Sequence, residues 1–398
     1  MLALEPGRIG QLALPNRIFR APTAETMADE RGGVTDALVS FYRRLGAGGA
    51  GLVSTGHIFV HPTGRHVPSQ MGLYDDSLIE GHARLAAAVH AEGGRIFAEL
   101  GHAGSQSTAP GVKPLAPSKV VNPMTGVVAS EITPGEIAEV IQAFGRAALR
   151  AKDAGYDGIH FAGANGYLFS QFMSPYSNLR TDQWGGDAEG RGRFLFEVAR
   201  SIRAAIGPDF PFIGRIGLAD TIPGGLDLAE GLDRLAALDG LELLDGVEPA
   251  LNIIADYQEN IRPYVAVGPA RALHDWLFHR IASPANPEAY FQPLAREVKK
   301  RVKMPVILMG GIRSTETMER ILASGDADFL ALARPFIREP DIARQIAKGR
   351  RGNVDCVSCN ACLMHDGIDP LQCWRTPKIR LAHHFYTVLW RDRVSKAS

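Results

Sequence analysis

The stretch TPGEIAEVIQAFGRAALRAKDAGYDGIHFAG, residues 133–163, decides the fold. Thr133 offers a side-chain oxygen to the free amides of a helix start. Pro134, with its fixed φ and no amide hydrogen, suits the first helical position. A helix over 134–154 follows, and Gly155 stops it. The chain then enters 158–163, a short and largely apolar run of the kind that a strand buried on both faces shows. Working outward, the same kind of run recurs at 17–22, 51–55, 95–100, 212–216, 244–249, 305–309 and 329–333. Helical patterns lie between them at 36–46, 78–93, 190–206, 227–238 and 314–324. Strand and helix alternating through eight runs predict an α/β fold, a closed (β/α)8 TIM barrel. The rival, an open doubly wound sheet, wants a G-x-G-x-x-G turn after an early strand, and none follows the first three runs.

The barrel is expected to occupy residues 1–350, with 351–398 a short extension that carries every cysteine. The chain is read as leaving the barrel after Pro340. Two stretches look inserted: 105–132, rich in Pro, Gly and Ser and expected to cross the barrel mouth, and 251–284, a candidate lid with the polar Asn252, Asp256 and Tyr257. Lys+Arg and Asp+Glu balance at 43 each, and no basic block is present beyond Lys299-Lys300-Arg301 at a predicted helix end, so nucleic acid is not an expected partner. No run approaches the roughly 18 apolar residues of a membrane span, and the start of the chain lacks a secretory signal pattern. The four cysteines fall between Cys356 and Cys373 rather than scattering as disulfide staples, which predicts a cytoplasmic setting. A small-molecule substrate and a homodimer, the commonest soluble oligomer, complete this reading.

In such a barrel the chemistry sits at the C-terminal ends of the strands. The seventh run ends in Met309-Gly310-Gly311 and the eighth in Leu332-Ala333-Arg334, where small residues admit a phosphate to backbone amides and an arginine adds a fork-shaped cation. Arg215 lies inside the fifth apolar run and needs a partner there, either a ligand or a carboxylate such as Glu99. Past the fourth run, Tyr167 is a candidate proton donor and Asn165 a candidate donor to an oxygen anion; a packing role for the tyrosine is the plain alternative.

Several motifs then line up in order: Leu14-Pro15-Asn16-Arg17-Ile18, Gly163-Ala164-Asn165-Gly166-Tyr167-Leu168, Gln171-Phe172-Met173-Ser174-Pro175, Asn178-Leu179-Arg180-Thr181-Asp182-Gln183-Trp184-Gly185-Gly186, Gly310-Gly311 and Ala333-Arg334-Pro335-Phe336. By these the chain resembles the old yellow enzyme and NADH:flavin oxidoreductase family over nearly all of 1–350. Met27-Ala28-Asp29-Glu30 with Thr35 points toward its dienoyl-CoA-reductase-like branch. The resemblance implies FMN, with Pro22, Thr23, Ala24 and Gly56 against the flavin, Arg215 at its pyrimidine edge, and Gly310, Gly311, Ala333 and Arg334 on its phosphate. It also implies NAD(P)H as donor, hydride passing through flavin N5 to an activated alkene or related unsaturated carbonyl compound, and Tyr167 as the proton donor to that substrate.

Three positions depart from the family pattern. Glu99 stands where glutamine is usual; it is expected either to hold a proton in part or to pair with Arg215. Ala162 stands where an imidazole would help Asn165 to grip a substrate oxygen; His57 and His61 are candidates to compensate, while His160 lies one layer deeper. Ser105 replaces an arginine. The cysteines Cys356, Cys359, Cys362 and Cys373, spaced C-x₂-C-x₂-C-x₁₀-C, suit a [4Fe–4S] cluster or zinc, or a tail that has lost its metal. In relatives with such a quartet the cluster serves a further flavin domain, for which about 25 residues after Cys373 are too few. Three other functions stay open beside the reductase: oxidation of an amine or N-methyl substrate by FMN, a flavin-binding barrel with little turnover, and a phosphate-sugar barrel enzyme without flavin.

Overall fold

The computed structural model describes residues 1–122, 125–253, 288–358, 362–365, 367–375 and 379–380. Its pivotal unit forms as the sequence dictates. Thr133 accepts the Glu136 amide while the Glu136 carboxylate takes the Thr133 amide, a reciprocal cap on α3 (Pro134–Asp153). Gly155, at φ +84°, turns the chain out of the helix, and β4 (Gly158–Gly163) follows, buried along its whole length. The other barrel strands are β1 (Ile18–Arg20), β2 (Leu52–Ser54), β3 (Ile96–Gly101), β5 (Phe212–Gly217), β6 (Gly246–Ala250), β7 (Ile307–Leu308) and β8 (Phe329–Leu332). They pair in parallel in the order β6-β5-β4-β3-β2-β1-β8-β7. A parallel bridge between Val247 and Val306 joins the two ends, with the Val247 amide 3.0 Å from the Pro305 carbonyl, so the ring is nearly closed. The seventh strand is shorter than its apolar run because Pro305 has no amide to donate and Gly310, at φ +113°, already turns away.

Helices α1 (Asp36–Gly46), α2 (Ile79–His90), α3, α4 (Ala188–Ile206), α5 (Leu228–Gly240), α6 (Gln292–Lys299) and α7 (Thr315–Ser324) surround the strands. The outer core between strands and helices contains Ile18, Leu45, Phe144, Ile159, Phe194 and Leu235. A separate inner core fills the barrel floor with Phe19, Leu52, Phe97, Ile213, Ile307 and Phe329. An N-terminal hairpin that the sequence reading did not find, Gly7–Ile9 against Leu12–Leu14, completes that floor through Ile9 and Leu14. No helix among the described residues is long and apolar enough to cross a membrane.

Two expectations about chain path are corrected. The chain does not leave the barrel after Pro340: a helix at Ile342–Ala347 buries Ile342, Ala343 and Ile346 in the outer core, and the Val354 amide still bonds to the Arg313 carbonyl. Hydrophobic side chains in the last helical pattern hold it there. Segment 105–132 lines none of the mouth cavity among its described residues; it packs beside the β4 loop, where Arg180 bonds to the carbonyls of Pro117 and Ile132. The candidate lid at 251–284 lies almost wholly outside the described residues, Asp256 and Tyr257 included.

Candidate functional site

Alternation along the strands sends every second side chain into the barrel. One step above Phe97 and Ile213, the inward positions are therefore Glu99 and Arg215. Register sets Glu99 beside His160 and Arg215 beside Glu248. Arg215 Nε and Nη2 each lie 2.8 Å from Glu248 Oε1, while Nη1 lies 3.5 Å from Glu99 Oε1, which has no hydrogen-bond partner. Burial works against the Arg215 charge, yet Glu248 and Glu99 together carry its pKa above the ordinary value. The expected carboxylate partner of Arg215 is thus present: Glu99 stands farther off, and the principal partner is Glu248, which was not named because it sits inside an apolar run. Its inward parity opposite Arg215 was the available signal.

Above this layer opens a cavity of about 250 Å³. Pro22, Thr23, Ala24, Glu99, Asn165, Tyr167, Arg215, Gly310, Gly311, Ala333 and Arg334 all line it. Gly56 does not: its amide donates to Glu25 at 2.6 Å and to Tyr42 at 2.9 Å, and a side chain there would stand 2.4 Å from the Thr23 carbonyl. The glycine is needed for close packing of β2 on the β1 loop. Gly310 and Gly311 both have positive φ, +113° and +74°, and their turn lies at the ends of β7 and β8 with Arg313 and Arg334 in the same lining. Two successive glycines that line the cavity with guanidinium groups beside them suit an anion. Arg313 was not foreseen.

Tyr167 stacks on His57, with ring centroids 4.7 Å apart, and meets the edge of His66 at 5.5 Å. The His57 tautomer follows from its neighbours. Gln70 Oε1 accepts the His66 backbone amide at 2.6 Å, so Gln70 Nε2 faces and donates to His57 Nδ1 at 3.1 Å. The ring hydrogen is then on His57 Nε2, which is buried and unpartnered. Burial, with His66, His102 and Arg215 adding repulsion, lowers the His57 pKa to about 3 and keeps the ring neutral. A β-carbon at Gly101 would stand 2.0 Å from His57 Nε2 and 3.1 Å from the Ala162 β-carbon, so His57 occupies room that a larger residue at 162 would need. His61 turns elsewhere, to Thr63 at 2.8 Å and Glu139 at 3.5 Å, and leaves the cavity wall. His160 bonds to Ser54 at 3.1 Å beneath the cavity, as its strand parity requires. Asn165 adopts φ +61° at the β4 turn, with its carbonyl held by Gln106. Ser105 is part of the packed segment, accepting from Asn122 at 2.8 Å.

The extension folds back over this mouth: the Leu371 amide bonds to the Glu25 carbonyl, and Ser358, Cys362 and Leu371 line the cavity. Cys356, Cys362 and Cys373 line a smaller adjoining pocket beside Arg334, whereas Cys359 lies outside the described residues. Among the described residues no group of three or more ligating side chains is arranged to hold a metal ion.

The 2-naphthoyl-CoA reductase complex with 2-naphthoyl-CoA is similar in structure, with a TM-score of 0.82 and 26% identity over 96% of this chain and 58% of that one. Histamine dehydrogenase from Rhizobium sp. 4-9 is similar too, with a TM-score of 0.78 and 27% identity over 96% of this chain and 53% of that one. In sequence, an NADH oxidase of Thermoanaerobacter brockii is 38% identical over 359 residues, 89% of this chain and 52% of that protein. The chain thus spans little more than half the length of these relatives. The model of the NADH:flavin oxidoreductase / NADH oxidase family matches residues 4–353, and the chain, built on the old yellow enzyme barrel, belongs to that family.

Proposed function

We propose that the cavity holds FMN and that the chain uses NAD(P)H to reduce an activated alkene, one conjugated to a carbonyl or a similar electron-withdrawing group. The observation that carries this reading is the convergence on one cavity of a glycine-and-arginine cradle, a buried cation and a tyrosine hydroxyl group. FMN bound there supplies two-electron chemistry, taking electrons from NAD(P)H and delivering them to the acceptor. Gly310, Gly311, Arg313 and Arg334 hold its phosphate, and Pro22, Thr23 and Ala24 its ring. Arg215, fixed by Glu248, presents positive charge to the electron-rich form. Tyr167, clamped between His57 and His66, donates the proton that completes reduction, and Asn165 polarises the acceptor oxygen.

The test is the visible spectrum of the purified protein before and after anaerobic NADH and NADPH. Flavin bands that bleach, followed by recovery on adding an enone, are the expected result. Tyr167→Phe should leave bleaching intact and slow the second step by about 10²-fold or more, the scale of lost general-acid catalysis. A colourless protein that cannot be reconstituted overturns the reading.

A second reading is favoured by one observation: Ala162 leaves the oxygen-gripping imidazole out of β4, and His57 Nε2, though beside it, is buried. On this reading an amine or N-methyl compound reduces FMN, in line with the similarity to histamine dehydrogenase. Bleaching by amines but not by NAD(P)H decides for it; bleaching by neither leaves a flavin-binding barrel with little turnover.

We further infer one barrel domain over 1–350 with 351–398 as its extension, acting in the cytoplasm as a homodimer. For the four cysteines a [4Fe–4S] cluster, zinc and no metal stay open: three of them line the pocket beside Arg334, but no ligating group of three is formed among the described residues. Anaerobic iron, acid-labile sulfide and zinc analysis separates the three: iron and sulfide in equal amounts mean the cluster, zinc alone means a zinc site, and neither means a tail without metal.

A further inference from the structure

We propose that Glu99 meets the ligand of the cavity as a neutral carboxylic acid, a hydrogen-bond donor, because Glu248 has taken the charge of Arg215. The ligand in this inference rests on the flavin reading; the proton on Glu99 does not.

The geometry is unequal. Glu248 Oε1 takes both Nε and Nη2 of Arg215 at 2.8 Å, whereas Glu99 Oε1 is reached only by Nη1, at 3.5 Å and without a hydrogen bond. One guanidinium can neutralise one of these carboxylates. Were both ionised, a net negative charge would be left inside the barrel, where charge without a partner is costly.

The other groups around Glu99 do not supply the missing cation. His160, its register partner on β4, is kept neutral, since burial and then Arg215 hold its pKa well below the ordinary value. Glu25, in the β1 loop, adds negative charge, and so does Glu248. Arg20 on β1 attracts, but it also faces Glu25, and its Nη1 is engaged by the Ser54 carbonyl at 2.6 Å. The side chain of Glu99 is 3% exposed, and this burial, opposed by Arg215 and reinforced by Glu248, raises its pKa to about 8.

The chemical consequence is specific. An ionised carboxylate only accepts hydrogen bonds, whereas a protonated one offers an O–H and a carbonyl oxygen side by side. A glutamine side chain offers the same pair, one donor and one acceptor, from a similar shape. Glu99 thus reproduces at neutral pH the pattern of the glutamine usual in this family, and adds a proton that can leave when the pH rises.

Two measurements test this on the whole chain. The first needs no ligand: infrared titration of the apo-protein should show a protonated-carboxyl band at pH 7 that disappears as the pH passes about 8 and that Glu99→Gln lacks. A wild-type spectrum without that band overturns the proposal, whether or not flavin binds. The second measures the dissociation constants of oxidised and reduced FMN from pH 7 to 9.5. Above about pH 8, wild type should lose affinity for the reduced form relative to the oxidised form by up to about tenfold per pH unit more than Glu99→Gln, equivalent to about 30 mV in the two-electron potential. Equal slopes in the two proteins overturn Glu99 as the group that meets the flavin. The carboxyl band together with no FMN binding at any pH defeats the flavin reading and leaves the neutral acid standing.

Discussion

Two layers of side chains inside the same barrel differ completely although one residue step separates them. The floor is Phe19, Leu52, Phe97, Ile213 and Phe329, closed below by the hairpin residues Ile9 and Leu14. The layer above, facing inward from β2 to β6, holds Ser54, Glu99, His160, Arg215 and Glu248. The lower layer is held by apolar burial, which needs no particular partner and is sensitive chiefly to loss of volume. The upper layer is held by charge pairing in a place where water cannot relieve a mistake, so its energy depends on which partner each group finds. A barrel can keep such a layer beneath a ligand site because the floor beneath it supplies the stability.

The largest effect should come from breaking the upper layer at its centre. Arg215→Met leaves Glu248 without its cation and is expected to cost about 3–5 kcal/mol in denaturant unfolding, with loss of flavin binding. The double variant Arg215→Met/Glu248→Leu should recover most of that stability while flavin binding stays lost. No recovery in the double variant would mean that the pair is not what makes the single change costly.

Truncation in the floor comes next. Phe97→Ala should cost about 3 kcal/mol or more through lost burial and the cavity left behind, yet leave the ligand's pH dependence as in wild type. A changed pH profile in that variant would show that the two layers are not separable.

The smallest effect is in pH dependence, and its sign differs between groups. Burial lowers the pKa values of His57 and His102 to about 3 and those of His66 and His82 to about 4. Below the ordinary value of 6.5 the unfolded chain binds protons that the folded one refuses. Their stabilisation is therefore whole above pH 6.5 and lost as the pH falls toward 4. Glu99 acts in the other direction, its contribution present below its ordinary 4.5 and lost as the pH rises through about 8. Between pH 4.5 and 6.5 the two contributions oppose each other; from 6.5 to about 8 only the loss from Glu99 continues, so the melting temperature should fall across that interval and level off above it. Glu99→Gln should remove the fall between pH 6.5 and about 8 and steepen the rise between 4.5 and 6.5, and His57→Gln should lessen the loss below 6.5.

Much of the site could be read from residue order. The cradle at Gly310-Gly311 and Arg334, the tyrosine after β4 and the oddity of Glu99 were all visible because strand ends define a barrel mouth before any coordinate is known. What escaped shares one cause. Glu248, Gln70, His66 and Arg313 act through partners distant in the sequence, and nothing local marks one glutamate in an apolar run as the holder of an arginine on the neighbouring strand. Gly56 shows the same dependence on distant partners: its amide is engaged by Glu25 and Tyr42, which residue order does not reveal.

By itself the sequence determined the alternation of strand and helix, and with it a parallel barrel whose chemistry gathers at one end, since apolar periodicity, caps and glycine stops are local and each acts within a few residues. Tertiary structure alone decided which carboxylate Arg215 holds, which histidine stands beside Tyr167, and that the cysteine-bearing extension returns to the mouth. These are choices among groups far apart in the chain, made by distances of a few tenths of an ångström to a few ångströms in a medium where each unpaired charge is expensive.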